Sequence, residues 1–206
     1  MSKLLYIEAS PRGERSRSST VAKAFVAGYK KAHPGDTVET VNVFDARLAT
    51  LDEPTLGAKY AMLHGQNPTA EDIKRWKPVQ DVMDQFKAAD KYVISTPMWN
   101  FSIPYRLKHY IDLLVNPGQT FSYSPEEGYK GLVTGKPMLI VCARGGAYPE
   151  GAALDLQAAY LKLILAFIGF TDIQWILVEP TLAGRDVADA KTKAAVEQAT
   201  QMAKAF

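Results

Sequence analysis

Cysteine is nearly absent. Cys142 stands alone among 206 residues, so no disulfide can form within the chain. Charge of one sign is also missing. Lys and Arg number 24 against 22 Asp and Glu, a formal net charge of +2 with no block of like charge. Such a balance argues against a nucleic-acid partner and against a membrane surface. No apolar run reaches ~18 residues, so no helix is expected to span a bilayer. The first residues enter a strand-like pattern with no apolar signal region, and the expectation is a soluble, cytoplasmic protein. The three histidines, His33, His64 and His109, are scattered and lack metal-ligand spacing, so no metal centre is expected.

Several motifs are missing as well. The dinucleotide fingerprint G-x-G-x-x-G does not occur. Gly131-Leu-Val-Thr-Gly135-Lys136 approaches a Walker loop, but it has three residues between the glycines where four are required. Pro137 also stands where a Ser or Thr would meet magnesium. Asn100-Phe-Ser102 matches a glycosylation acceptor, which carries no meaning without a secretory signal. There is no internal repeat and no low-complexity segment.

What is present is alternation. With 47% hydrophobic residues the chain suits one domain, residues 1–206, with a core large enough to fold alone. Strands are expected over 3–8, 37–43, 91–96, 138–143 and 173–179. Helices are expected over 18–33, 71–88 (with Thr69 as N-cap), 103–115 (opened by Pro104), 152–168 and 187–205. Residues 44–76 are broken by Pro54, Gly57, Gly65 and Pro68, and 117–134 reads as a long loop rich in Gly, Pro and aromatics. Strands separated by helices predict a parallel sheet covered on both faces, and the central runs YVIS and MLIVC are apolar as such a sheet requires. Five strands favour the order 2-1-3-4-5, with ligands beyond the strands' carboxyl ends near strands one and three.

The loops at that rim hold the chemistry. After strand one comes Glu8-Ala-Ser-Pro-Arg-Gly-Glu-Arg-Ser-Arg-Ser-Ser-Thr20, leading into a helix N-terminus whose free N–H groups attract anions. Ser10, Ser16 and Ser18 can donate hydroxyl hydrogen bonds, and Arg17 or Arg12 can add charge. A phosphate monoester fits; so does simple helix capping and turn formation, since serine serves both. Low-molecular-weight tyrosine phosphatases carry a cysteine nucleophile in a comparable loop. Here no cysteine precedes residue 142, so this loop should bind phosphate rather than attack it. After strand three, Pro97-Met-Trp-Asn-Phe-Ser-Ile-Pro104 brackets soft, flat side chains between prolines. Met98, Trp99 and Phe101 with the amide of Asn100 suit a flat heteroaromatic ring with polar edges, or a hydrophobic plug over the sheet end. After strand four, Ala143-Arg-Gly-Gly146 lets backbone N–H groups approach a ligand closely, or makes an ordinary turn.

With these motifs together, the sequence resembles the FMN-dependent NADH-azoreductases, also called FMN-dependent NADH:quinone oxidoreductases. The resemblance covers nearly the whole chain. It rests on Ser10…Ser16-Arg-Ser18, PMWNFSIP followed by LKHYIDL, GLVTGK, ARGG, and the helix YLKLILAFIGF. It implies a flavodoxin-like three-layer α/β/α sandwich. It implies FMN as cofactor, with Ser10, Ser16, Arg17 and Ser18 at its phosphate. Met98, Trp99, Asn100 and Phe101 would line the ring, with Ala143, Arg144, Gly145 and Gly146 closing over its pyrimidine side. NADH or NADPH would be the donor, and quinones and azo compounds the acceptors, in a ping-pong, two-electron hydride relay. Because the flavin carries the chemistry, no catalytic side chain is expected. Trp99, Phe121, Tyr123 and Phe167 are candidate walls of the acceptor pocket.

The family forms homodimers with the site at the interface, and the second apolar face of the 152–168 helix suits that contact. Two departures stand out: many members have tyrosine at Trp99 and serine at Ala143. Two other readings of the residues are an electron-carrier flavodoxin, usually strongly acidic where this chain is near neutral, and a flavin-free phosphate-ester binder. Nicotinamide preference is not legible: Lys59, Arg75 and Arg185 can each meet a 2′-phosphate or only water.

Overall fold

The structure, a computed structural model, describes residues 1–63 and 65–206; the expectation that His64 is no metal ligand lies outside the described residues. Five parallel strands form the sheet: β1 (Lys3–Glu8), β2 (Thr37–Asn42), β3 (Lys91–Pro97), β6 (Met138–Ala143) and β7 (Ile173–Val178). Their order is β2-β1-β3-β6-β7, the expected 2-1-3-4-5 once two short strands outside the sheet are counted. Those two, β4 (Phe121–Ser124) and β5 (Gly128–Gly131), pair antiparallel as a hairpin.

Period-two alternation divides the core into two layers. Leu5, Ile7, Tyr92, Ile94, Met138, Ile140 and Cys142 face one way. They pack under α3 (Ala70–Lys87), α4 (Tyr105–Leu114) and α5 (Leu156–Ile168). Leu4, Tyr6, Val93, Leu139, Val141 and Ile176 face the other, under α1 (Arg17–Ala32) and α6 (Arg185–Met202). Burying each such aliphatic side chain stabilises the fold by roughly 1.5–3 kcal/mol, so a register slip would lose many at once. This is a flavodoxin-like fold with helices on both faces of the sheet.

Local chemistry explains most element ends. At α3 the Thr69 side chain accepts the Asp72 N–H at 3.1 Å while Asp72 accepts the Thr69 N–H at 2.9 Å, a closed capping box. Three expectations are corrected. The 44–76 stretch contains a helix, α2 (Glu53–Leu63), which packs on α3 through buried Ala58; Pro54 lies in its first turn, where it is tolerated. The 117–134 segment is not a loop throughout, because 121–131 forms the hairpin. α5 begins at Leu156 rather than 152, because Asp155 accepts the Ala158 N–H at 2.9 Å and caps it there.

Candidate functional site

Parallel strands put their carboxyl ends at one edge. There Ala9 N donates to Ser95 O at 2.8 Å and Met98 N to Ala143 O at 2.8 Å, so the loops after β1, β3 and β6 leave side by side. These are the three loops singled out by their sequence.

In the first loop Ser16 is the N-cap of α1, its hydroxyl accepting from Ser19 N at 3.3 Å. The hydroxyls of Ser16 and Ser18 lie 3.3 Å apart, and Ser10 Oγ accepts from Arg12 N at 3.4 Å. The capping role and an anion-binding role coexist. Helix geometry leaves the N–H groups of Arg17 and Ser18 without an intrahelical carbonyl, and the dipole adds partial positive charge there. Glu8, a buried carboxylate at the end of β1, is paired with Lys23 Nζ at 3.0 Å.

Arg17 requires a correction. Its guanidinium does not turn to the loop: Nη1 donates to Ala188 O at 2.9 Å and Thr192 Oγ1 at 2.8 Å, and Nη2 pairs with Asp189 at 2.8 Å. Helix α6 supplies a better set of acceptors, so Arg17 offers the loop its backbone N–H and not its charge. Arg12 is exposed beside the loop.

The second loop carries the most unusual backbone. Trp99 N donates to Ser102 O and Ser102 N to Trp99 O, both at 2.9 Å, closing a two-residue turn over Asn100 and Phe101. Both central residues have positive φ, 47° and 67°. Asn tolerates that region, but Phe pays about 1–2 kcal/mol for it, and such strain collects at ligand sites. Phe44 and Tyr105 flank this turn: the Phe44 ring lies 5.8 Å from both Trp99 and Tyr105. A cavity of about 420 Å³ opens beside it, lined by Trp99, Asn100, Ser102, Tyr105, Lys108 and Tyr160.

The third loop is held by its arginine. Arg144 is buried, with Nη1 3.0 Å from Asp155 and 3.4 Å from Glu179 and Nε donating to Gln157 at 3.0 Å. Its side chain is therefore part of the scaffold, and what the loop presents at the rim is backbone. A Cβ on Gly145 would fall 2.7 Å from Cδ1 of the exposed Leu182 side chain, so this loop and the one that follows β7 approach closely there.

The candidate pocket residues divide into two groups. Phe121, Phe167 and Tyr129 pack with centroids 4.7–6.1 Å apart, and Tyr123 joins at 4.9 Å from Tyr129. Among the described residues no ring contact joins them to Trp99. A larger concavity, about 590 Å³, lies between the start of α5 and β7, lined largely by apolar side chains such as Leu156, Trp175 and Leu177. Of the three rim loops only the one after β6 reaches it, through Arg144 and Tyr148. Residues missed from the sequence are Tyr129, Phe44 and Gln157; the signal for the last was a lone amide in the strongly apolar α5.

Other expectations find their places. Burial pushes the Cys142 thiol up to about 12, which removes it as a nucleophile at neutral pH. Lys136 of the near-Walker segment donates to Lys87 O at 2.6 Å and Ala89 O at 2.5 Å, closing the end of α3. His109 Nε2 hydrogen-bonds Ala49 O at 2.7 Å. Among the described residues no group of three or more His, Cys, Asp or Glu is placed to hold a metal, and no helix is long and apolar enough to cross a membrane.

The donor set fits FMN. Hydroxyls and free N–H groups surround one helix N-terminus for a phosphate, and a rigid turn bearing Trp and Asn stands beside a glycine loop for a polar-edged ring. Comparison with known proteins agrees. The family described as flavodoxin-like fold matches residues 2–203. An FMN-dependent NADH:quinone oxidoreductase of Nitratidesulfovibrio vulgaris is 52% identical over 210 residues, covering 100% of both chains. One from Desulfotalea psychrophila is 50% identical over 184 residues, 88% of this chain and 87% of that one.

The chain belongs to the FMN-dependent NADH:quinone oxidoreductases.

The solved azoreductase from Bacillus anthracis str. Sterne superposes with a TM-score of 0.90 at 32% identity, over 100% of both chains. An FMN-dependent NADH-azoreductase from B. anthracis str. Ames Ancestor, solved in complex with FMN, gives 0.86 at 32% identity over 98% of this chain and 100% of that one.

Proposed function

We propose that this oxidoreductase, a single domain, holds FMN at the rim and uses NADH to reduce quinones to hydroquinones and to cleave azo compounds. The observation that carries the reading is the strained Trp99–Ser102 turn standing between the α1 N-terminus and the Gly145-Gly146 loop. Ser10, Ser16 and Ser18 with the Arg17 and Ser18 N–H groups would hold the phosphate. Met98, Trp99, Asn100 and Phe101 would line the ring, and the backbone of Ala143, Arg144, Gly145 and Gly146 its pyrimidine edge. FMN held there would supply the hydride and electron-pair chemistry. The chain's own residues bind, orient and exclude water. Donor and acceptor use one place in turn, a ping-pong order.

Oligomerisation belongs to the same reading. Leu156, Tyr160, Leu163 and Phe167 fall at i, i+4, i+7 and i+11 on α5, with Leu156 53% and Leu163 70% exposed, and exposed Tyr129 continues the stripe. A second copy covering this stripe would bring its Phe121, Tyr123 and Phe167 toward the other subunit's Trp99, joining the two halves of the acceptor pocket. NADH as the donor rests on the names of the relatives, FMN-dependent NADH:quinone oxidoreductases.

The test is anaerobic stopped-flow. Protein reconstituted with FMN should lose its visible absorbance on mixing with NADH and regain it on mixing with a quinone, with parallel lines in double-reciprocal kinetics. An electron carrier would bleach slowly with NADH. Protein that neither binds saturating FMN nor oxidises NADH would end the enzyme reading.

A further inference from the structure

We infer that Gln157 is a positioning residue for the ring-lining turn, holding it from the side of α5; this rests on the flavin reading above. Gln157 is fully buried in the first turn of α5. Its amide is used at both ends: Oε1 accepts from Arg144 Nε at 3.0 Å, and Nε2 donates to Pro97 O at 2.8 Å. Pro97 O is one end of the Pro97–Met98 peptide, and at the other end Met98 N donates to Ala143 O at 2.8 Å. That peptide plane is fixed on both sides. The next residue, Trp99, begins the turn in which Asn100 and Phe101 are held at positive φ. Strained backbone persists only where its surroundings over-determine it, and Gln157 supplies that constraint from outside the loop.

The chemistry selects an amide. The position must accept from a guanidinium N–H and donate to a carbonyl through one planar group, which a carboxylate or an aliphatic side chain cannot do. Arg144 anchors the arrangement. Its guanidinium pairs with Asp155, the N-cap of α5, and with Glu179. Its carbonyl accepts from Thr181 N and Oγ1, both at 2.9 Å, and its N–H donates to Val178 O at 3.1 Å. The start of α5, the glycine loop after β6 and the turn after β3 thus share one buried network. The apolar stripe of α5 lies on the same helix, so its packing is tied to the geometry of the turn.

The experiment compares wild type, Gln157→Glu and Gln157→Met by FMN titration and by visible circular dichroism of the bound FMN. Far-ultraviolet spectra establish that each protein is folded. Gln157→Glu keeps the acceptor for Arg144 and loses only the donor to Pro97. Gln157→Met keeps the length and volume and loses both, so it decides the matter if the glutamate variant does not fold. The expected result is FMN bound about tenfold more weakly, the loss of one buried hydrogen bond, with an altered visible spectrum. Folded variants with an unchanged visible spectrum and FMN affinity within about threefold of wild type overturn the inference, even where melting temperature falls, because Gln157 then only satisfies the core. Wild-type protein that binds no FMN overturns the flavin reading and this one together.

Discussion

At Ser16 one hydroxyl caps α1, accepting the Ser19 N–H, and faces the Ser18 hydroxyl at 3.3 Å across the mouth of the loop. Two substitutions separate these roles. Ser16→Ala should lower the stability in urea by about 1 kcal/mol and also weaken FMN, whereas Ser18→Ala should weaken FMN with little change in the urea midpoint. Fluorescence titration of FMN beside equilibrium unfolding reads both. The strained turn offers a second comparison. Phe101 is 46% exposed at φ 67°, so losing its ring forfeits little burial while its backbone remains costly for any side chain with a Cβ. Phe101→Gly should therefore be more stable than Phe101→Ala by about 1 kcal/mol in the same urea assay. Serines and the Trp-Asn segment could be picked out from the chain because their chemistry is local to one loop. Gln157 and the true partners of Arg17 could not, since their acceptors lie 60 and more than 170 residues away.

Among the elements, β1 and β6 fall where the apolar runs placed them, because strands buried on both faces leave an unbroken signal. The hairpin left almost none. Its strands are four residues long, β5 begins and ends on glycine, and none of their residues is fully buried. What makes it an element is contact with α5: a Cβ on Gly131 would lie 2.3 Å from Gly169 N, so only a hydrogen fits where β5 crosses the end of the helix. Gly131→Ala should lower the thermal midpoint by an amount worth about 1–3 kcal/mol, the usual cost of overpacking. It should also shift the near-ultraviolet signal of the Phe121, Tyr129 and Phe167 cluster. A scanning calorimetry trace matching wild type would remove the claim that this crossing is tight. Helix α2 was hidden for another reason. Pro54 and Gly57 read as breakers, yet Pro54 sits in the first turn and the buried side of the helix is settled by α3.

For the molecule as a whole, association and pH are the quantities to measure. Leu163→Glu places a charge on the exposed stripe of α5, 70% open in the single chain, and should cost the isolated fold little. Sedimentation velocity should show it as a single chain where wild type sediments as a pair, with quinone turnover lost and FMN still bound. Carboxyls set the acid limit. The Asp36 carboxyl lies below its ordinary 3.8 because the Ser2 N–H and then the Tyr29 O–H donate to it; Thr69 likewise holds Asp72 low. A carboxyl lowered on folding adds stability above its ordinary value and loses it as pH falls through the folded one. Thermal midpoints should hold from about pH 8 to 5 and drop below about pH 4, less steeply in Asp36→Asn. Burial raises the Tyr6 and Tyr110 phenols above 10.0, so stability should also fall as pH climbs past about 10.

Sequence alone determined the layers of this protein. Periodicity, caps and turn chemistry act within a few residues, and they were enough to specify five parallel strands and the loops that carry the motifs; the strand count then favoured the order, and with it the rim where those loops emerge. Tertiary structure decided the rest: that Arg17 turns to α6, that a hairpin leans on α5, that two aromatic groups stay apart in one chain, and that Gln157 reaches across to Pro97. These outcomes depend on which donors and acceptors meet when distant segments cross, and no local pattern encodes a partner so far along the chain.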